Sequence, residues 1–135
     1  MPKIRKPGPK FGRESKKDRF VALPFILIDS QAWQHLTSAD KSVFITLKRR
    51  FNGVNNGNIS LSVREIIACN KMSINTASKS LKHLQQKGFI TLKQYGYFGT
   101  HTASTWKLNT DKCDGYSPSN EWKQWKPGDD FTNGV

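Results

Sequence analysis

Acidic residues are scarce in this 135-residue chain. Ten Asp and Glu stand against 22 Lys and Arg, giving a formal charge of +12 and a pI near 10.0. Between residues 20 and 108 the only carboxylates are Asp29, Asp40 and Glu65, too few to hold the metal ions of a nuclease. Cysteine is scarcer still. Cys69 and Cys113 make neither a disulfide framework nor a zinc spacing, so a reducing, cytoplasmic compartment is expected. The histidines, His35, His83 and His101, are isolated and pair with no cysteine at metal spacing. No glycine-rich phosphate loop occurs, and no G-x-S-x-G. No apolar run reaches 18 residues. The nearest, FVALPFILI at Phe20–Ile28, is broken up by Pro24, Asp29 and Ser30 and has no cleavage site of the signal-peptide kind. Enzyme, metal, cofactor and membrane roles are therefore not expected.

What is abundant is positive charge, unevenly spread. Residues 1–19 hold eight Lys/Arg against two acids, net +6. Residues 20–108 hold eleven against three, net +8, and residues 109–135 hold three against five, net −2. A basic excess of this size points to a polyanionic partner, nucleic acid first. The chain divides accordingly into a flexible basic arm (1–19), one folded domain (20–108) and a partly docked tail (109–135). The arm, rich in Lys, Arg, Pro and Gly, suits a groove or backbone contact. It would equally serve as a solubilising tail.

In chain order, a short helix is expected from Pro24, with Phe25, Ile28 and Trp33 on the core. Ser30 then caps a brief turn through Ala32, Trp33 and Leu36. The apolar segment 20–36 is also a candidate dimer or partner surface. Thr37–Phe51 reads as a helix with a Thr37/Asp40 capping box and a buried stripe of Val43, Phe44, Leu47 and Phe51. Lys48, Arg49 and Arg50 crowd its last turn, where cations suit the helix dipole. NGVNNGN (52–58) is turn chemistry, and Ile59–Leu61 a short strand that must pair with something later. Ser62–Asn70 is a second capped helix, Ser62 to Glu65, with Val63, Ile66 and Ile67 inward and Cys69 in a small buried site. After Gly88 the pattern turns to strands, Phe89–Tyr95 and Thr102–Leu108, around a hairpin tip at 96–101. In the tail, EWKQW (121–125) is expected to dock on the domain or on a protein partner, while Asp111, Asp114, Asp129 and Asp130 read as solvated.

The stretch Ser73–Gly88, SINTASKSLKHLQQKG, organises the rest. Ile74, Ala77, Leu81 and Leu84 recur at helical spacing and are expected to face the core. Asn75, Ser78, Lys79 and Lys82 fall opposite, with His83 at the solvated edge. Ser73 caps the start, and Gly88 fits the left-handed position past the end. Amides, hydroxyls and flexible cations are the groups that read base edges and hold phosphates. The same face would also serve an ordinary solvated surface helix.

The run NISLSVREIIACNKMSINTASKSLKHLQQKGFITL, with the trailing Trp106-Lys107-Leu108, resembles the winged helix-turn-helix family of DNA-binding proteins from Thr37 to Leu108. The pattern T-x-S-x-x-L-x-x-L-x-x-x-G-F-I, from Thr76 to Ile90, is similar to the end of a recognition helix entering a wing. The resemblance implies an α+β fold with three main helices, a small antiparallel sheet and a β-hairpin wing. It further implies that helix Ser73–Lys87 enters the major groove of double-stranded DNA. Asn75, Thr76, Ser78 and Lys79 would then lie nearest bases, with Ser73 at the helix start and Lys82 near a phosphate. Ser62 and Arg64 would meet the backbone. Lys93, Tyr95, Tyr97 and His101 would form the wing contact, with aromatics where many relatives carry Arg or Lys. Bacterial and phage regulators, and plasmid or phage replication initiators, carry similar sequences. Since one scaffold serves several tasks, three roles are expected in turn: a transcriptional regulator of a mobile element, a replication or partition factor on iterated sites, or a protein-binding adaptor. A homodimer suits a module that alone covers only a short site.

Overall fold

The computed structural model describes residues 19–96 and 103–131. The architecture is α+β: five helices and a three-stranded antiparallel sheet. The helices are α1 (Phe25–Ile28), α2 (Gln31–Gln34), α3 (Ser38–Arg50), α4 (Val63–Asn70) and α5 (Ile74–Gln86). The strands are β1 (Ile59–Ser60), β2 (Ile90–Gln94) and β3 (Thr105–Leu108), in the order β1-β3-β2. A 3-10 turn, Glu121–Gln124, follows in the tail. None of the described helices is long and apolar enough to cross a membrane.

Each longer helix begins where a side chain satisfies its first free N–H groups. At α3, the Asp40 amide donates to Thr37 Oγ1 (3.1 Å) and the Thr37 amide to Asp40 Oδ2 (3.0 Å). At α4, Ser62 and Glu65 repeat the box, and Ser73 caps α5. Ser30 caps α2 by accepting from the Trp33 amide, and Pro24 in extended conformation starts α1.

The core lies between α3, α5 and the sheet. Phe44 and Phe89 are fully buried, Trp33 meets both edge-on, and Trp122 stacks on Phe89 at 6.0 Å. Such ring pairs add about 0.5–1.5 kcal/mol beyond the area they bury. EWKQW thus closes the core, with Trp122 and Trp125 both buried. Gly88 makes that closure possible. Its φ is +84°, and a Cβ there would stand 2.9 Å from Glu121 Cβ and the Trp122 amide nitrogen. Asn109, also buried, ties the same region together, donating to the Gly88 carbonyl (2.9 Å) and accepting from Thr91 Oγ1 (3.2 Å).

Several expectations change. Phe25 is 83% exposed, and Leu27 takes the core-facing position of α1, because one turn of helix presents only one side inward. Phe51 ends α3 in extended conformation and is only partly buried. Cys69 is exposed, since α4 turns Ile66 fully inward and Val63 and Ile67 only partly. The loop 52–58 does more than turn. The buried Asn56 side chain donates to the carbonyls of Leu108, Asp111 and Lys112 (2.9, 3.0 and 2.9 Å) and accepts from the Leu108 amide (2.6 Å). Asp111 is no solvated loop acid either, because it pairs with Lys48 Nζ at 3.0 Å.

Candidate nucleic-acid interface

α4 and α5 are joined by a turn in which Lys71 caps α4 in the left-handed region (φ 53°, ψ 51°). Its amide donates to the Ile67 carbonyl at 2.8 Å, and Ser73 opens α5 in extended conformation. α5 is anchored from one side only. Ala77, Leu81 and Leu84 are buried, whereas Asn75, Ser78, Lys79 and Lys82 are exposed. At 3.6 residues per turn these four span roughly 100° of the helix circumference. Among the described residues, none of the four side chains has a hydrogen-bond or ion-pair partner within the protein.

Ile74 departs from the expected stripe and is 62% exposed at the first position of α5. His83 departs in the other direction. It stays partly exposed, at 34%, but lies with Nδ1 3.0 Å from Oδ2 of Asp40, which is 1% exposed. Asp40 thereby caps α3 and holds the last turn of α5, fixing the helix that bears the exposed arc.

The hydroxyls at the helix starts are largely committed. Ser73 Oγ accepts from the Thr76 amide (3.1 Å) and donates to Thr76 Oγ1 (3.0 Å), leaving Thr76 with its own proton to donate. Ser62 Oγ accepts from the Glu65 amide (3.1 Å), and the Ser62 amide donates to Glu65 Oε1 (3.0 Å). Glu65 is held below the usual glutamate range, first by that backbone N–H and then by Arg50, whose guanidinium lies 3.1 Å from Oε2, while burial opposes the shift. A carboxylate standing where a phosphate would sit disfavours the expected backbone contact at Ser62. Arg64, exposed and without a partner among the described residues, is a donor left at this end.

β2 carries Lys93, and Tyr95 follows directly after the strand; both are exposed. Leu92 pairs with Trp106 and Gln94 with Thr105, so the register shifts at Lys93 and lifts it out of the ladder. Tyr97, His101 and most of the expected hairpin tip lie outside the described residues. A separate cleft of about 320 Å3 is lined by Arg19, Phe20, Val21, Lys48, Arg49 and Phe51. Two residues beside the arc escaped the sequence reading. Lys71 is an exposed cation in the turn, and Ile74 was assigned inward by its spacing.

Comparisons with family profiles, with curated proteins and with solved structures return no match for this chain.

Proposed function

We propose that this protein binds double-stranded DNA sequence-selectively, as a transcriptional regulator of a bacterial mobile element or phage acting in the cytoplasm. In this reading the helix, strand, helix, helix, strand, strand order from α3 to β3 is a winged helix-turn-helix. α4 braces, α5 enters the major groove, and the β2–β3 hairpin is the wing. One observation carries the reading. α5 is fixed in the core along one side and presents Asn75, Ser78, Lys79 and Lys82, unengaged, along the other. A helix fits the major groove, where each base pair shows a distinct pattern to amides and cations. The +12 charge supplies the sequence-independent attraction. RNA is the weaker partner, because a helix cannot read its narrow major groove.

The test is selection of bound fragments from the source genome at about 150–200 mM salt, where the electrostatic contribution is reduced and base readout remains. An inverted repeat near promoters supports a dimeric regulator. Direct repeats clustered at an origin would replace regulation by replication or partition. No enrichment would refute selective DNA binding. A protein-binding role would then rest on Phe20, Phe25 and Ile26, which are exposed together before and within α1.

A further inference from the structure

Ile74 stands apart from the other exposed apolar side chains. Phe20, Phe25 and Ile26 belong to the segment around α1, Ile45 to α3, where it is only 38% exposed, Val54 to the Asn-rich loop, Tyr95 to the position just past β2 and Tyr116 to the tail. Ile74 alone lies on α5, at its first residue, with 62% of its surface in water. Nothing local asks for isoleucine there. The cap is made by Ser73 and Thr76, and the buried face of the helix begins at Ala77. A β-branched residue is also a poor helix former compared with the Ala, Glu or Pro that suit a first turn.

The position has a physical use next to a base edge. Helical side chains lean toward the N-terminus, so Ile74 projects at the leading end of α5, one residue before Asn75 and four before Ser78. In helix-turn-helix docking that leading end comes closest to the bases. Isoleucine is stiff at χ1 in a helix, so it loses little side-chain freedom on making a contact. The polar arc provides hydrogen-bonding groups for purine N7, N6 and O6 and for cytosine N4. Apart from the Thr76 methyl and the lysine stems, it offers little apolar surface to the one apolar group in the major groove, the thymine 5-methyl.

We infer that Ile74 is a specificity-determining residue that reads a thymine by burying its side chain against the 5-methyl group. This rests on α5 entering the major groove, and the experiment separates the two claims. In the selected DNA fragment each thymine is replaced singly by uracil, which removes only the methyl. Equilibrium binding is measured for the full chain and for Ile74→Ala and Ile74→Val.

For the unaltered chain, one thymine, or one per half-site, shows about fourfold weaker binding as uracil, the value of one buried methyl. Ile74→Ala binds the thymine site more weakly by at least the same factor and is indifferent to uracil at that position. Ile74→Val keeps the sensitivity, and neither variant melts lower than the unaltered chain. If Ile74→Ala retains full uracil sensitivity at every position while the fragment is still bound selectively, the inference is overturned and the DNA-binding reading stands. A lowered melting temperature for Ile74→Ala overturns it as well, because the side chain then packs within the protein. If no fragment is selected, both claims fall.

Discussion

The fold sorts lysines into those held by the protein and those left free, and on the proposed reading the salt dependence of DNA binding would report that sorting directly. Lys79 and Lys82 point into solvent from α5, whereas Lys48 is 12% exposed with Nζ 3.0 Å from the Asp111 carboxylate. Each phosphate neutralised by a lysine releases condensed counterions and contributes about 0.9 to the slope of log K against log salt. With Lys82 at a phosphate and Lys79, beside the bases, within reach of another, replacing both by Gln should lower the slope by up to about 1.8. Between about 50 and 200 mM salt, the affinity lost by the double variant should be up to roughly tenfold smaller than that lost by the unaltered chain. Lys48→Gln removes one formal charge but no free cation, so its slope should not change. Its effect should appear in stability, because Asp111 loses its partner. Fluorescence anisotropy of a labelled duplex across a potassium chloride series measures all three proteins. If Lys48→Gln flattens the slope as much as one α5 lysine does, the placement of the interface on α5 is wrong. An unchanged slope in the double variant would refute it outright.

Other perturbations test the frame that holds α5. Gly88→Ala should cost about 2–5 kcal/mol, combining a left-handed residue with a Cβ driven against Glu121 and Trp122. Gly115→Ala, at φ +81° with open space around it, should cost only about 1–2 kcal/mol. Urea unfolding of both variants decides the point, and equal losses would mean that the tail does not seat on Gly88. Leu81→Ala should destabilise by about 2–5 kcal/mol, and a near-neutral melting shift would mean that α5 is turned the other way. Glu65 is held below its ordinary value of 4.5, so its contribution is fully present above that pH and is lost as pH falls through the lower, folded value. The stability difference between the unaltered chain and Glu65→Gln should accordingly be constant above about pH 5 and shrink below it. A difference independent of pH would remove the charge from the account of this cap.

The parts of the fold legible in the sequence are those whose causes are close together in the chain. Thr37 and Asp40, Ser62 and Glu65, and Ser73 with its helix are local caps, each written within four residues. The stripe Val43, Phe44 and Leu47 falls at helical spacing, and all three are fully buried. The sheet was legible because the strands after Gly88 alternate around glycine-bearing turn residues, and because Ile59 needed a partner, which is Trp106. Long-range polar contacts leave no such trace. Asn56 looks like one more turn asparagine, yet it serves the backbone 52 to 56 residues downstream. Asp40 and His83 stand 43 residues apart, and no spacing rule links them. Asp111 read as a loop acid because its partner Lys48 is 63 residues away.

The candidate interface divides along the same line. Periodicity assigns a face to each residue of α5, and Asn75, Ser78, Lys79 and Lys82 are exposed as that assignment requires. Periodicity does not say how far along the helix its neighbours extend, and so it placed Ile74 inward where the buried face starts only at Ala77. Counting charges misleads in a similar way. Of the cations between residues 37 and 126, Lys48 and Arg50 are bound to carboxylates. Lys41, Lys87 and Lys123 lie over Trp33, Trp125 and Trp122. Charge already engaged by the protein steers a polyanion weakly and grips it less, since a phosphate would have to displace a contact already made. Among the described residues, the cations without such partners include Arg64, Lys71, Lys79, Lys82 and Lys93, which lie on α4, the following turn, α5 and β2. Positive charge left free along one continuous stretch of chain, beside an arc of amide and hydroxyl groups, is better evidence for a nucleic-acid surface than the net charge of the whole molecule.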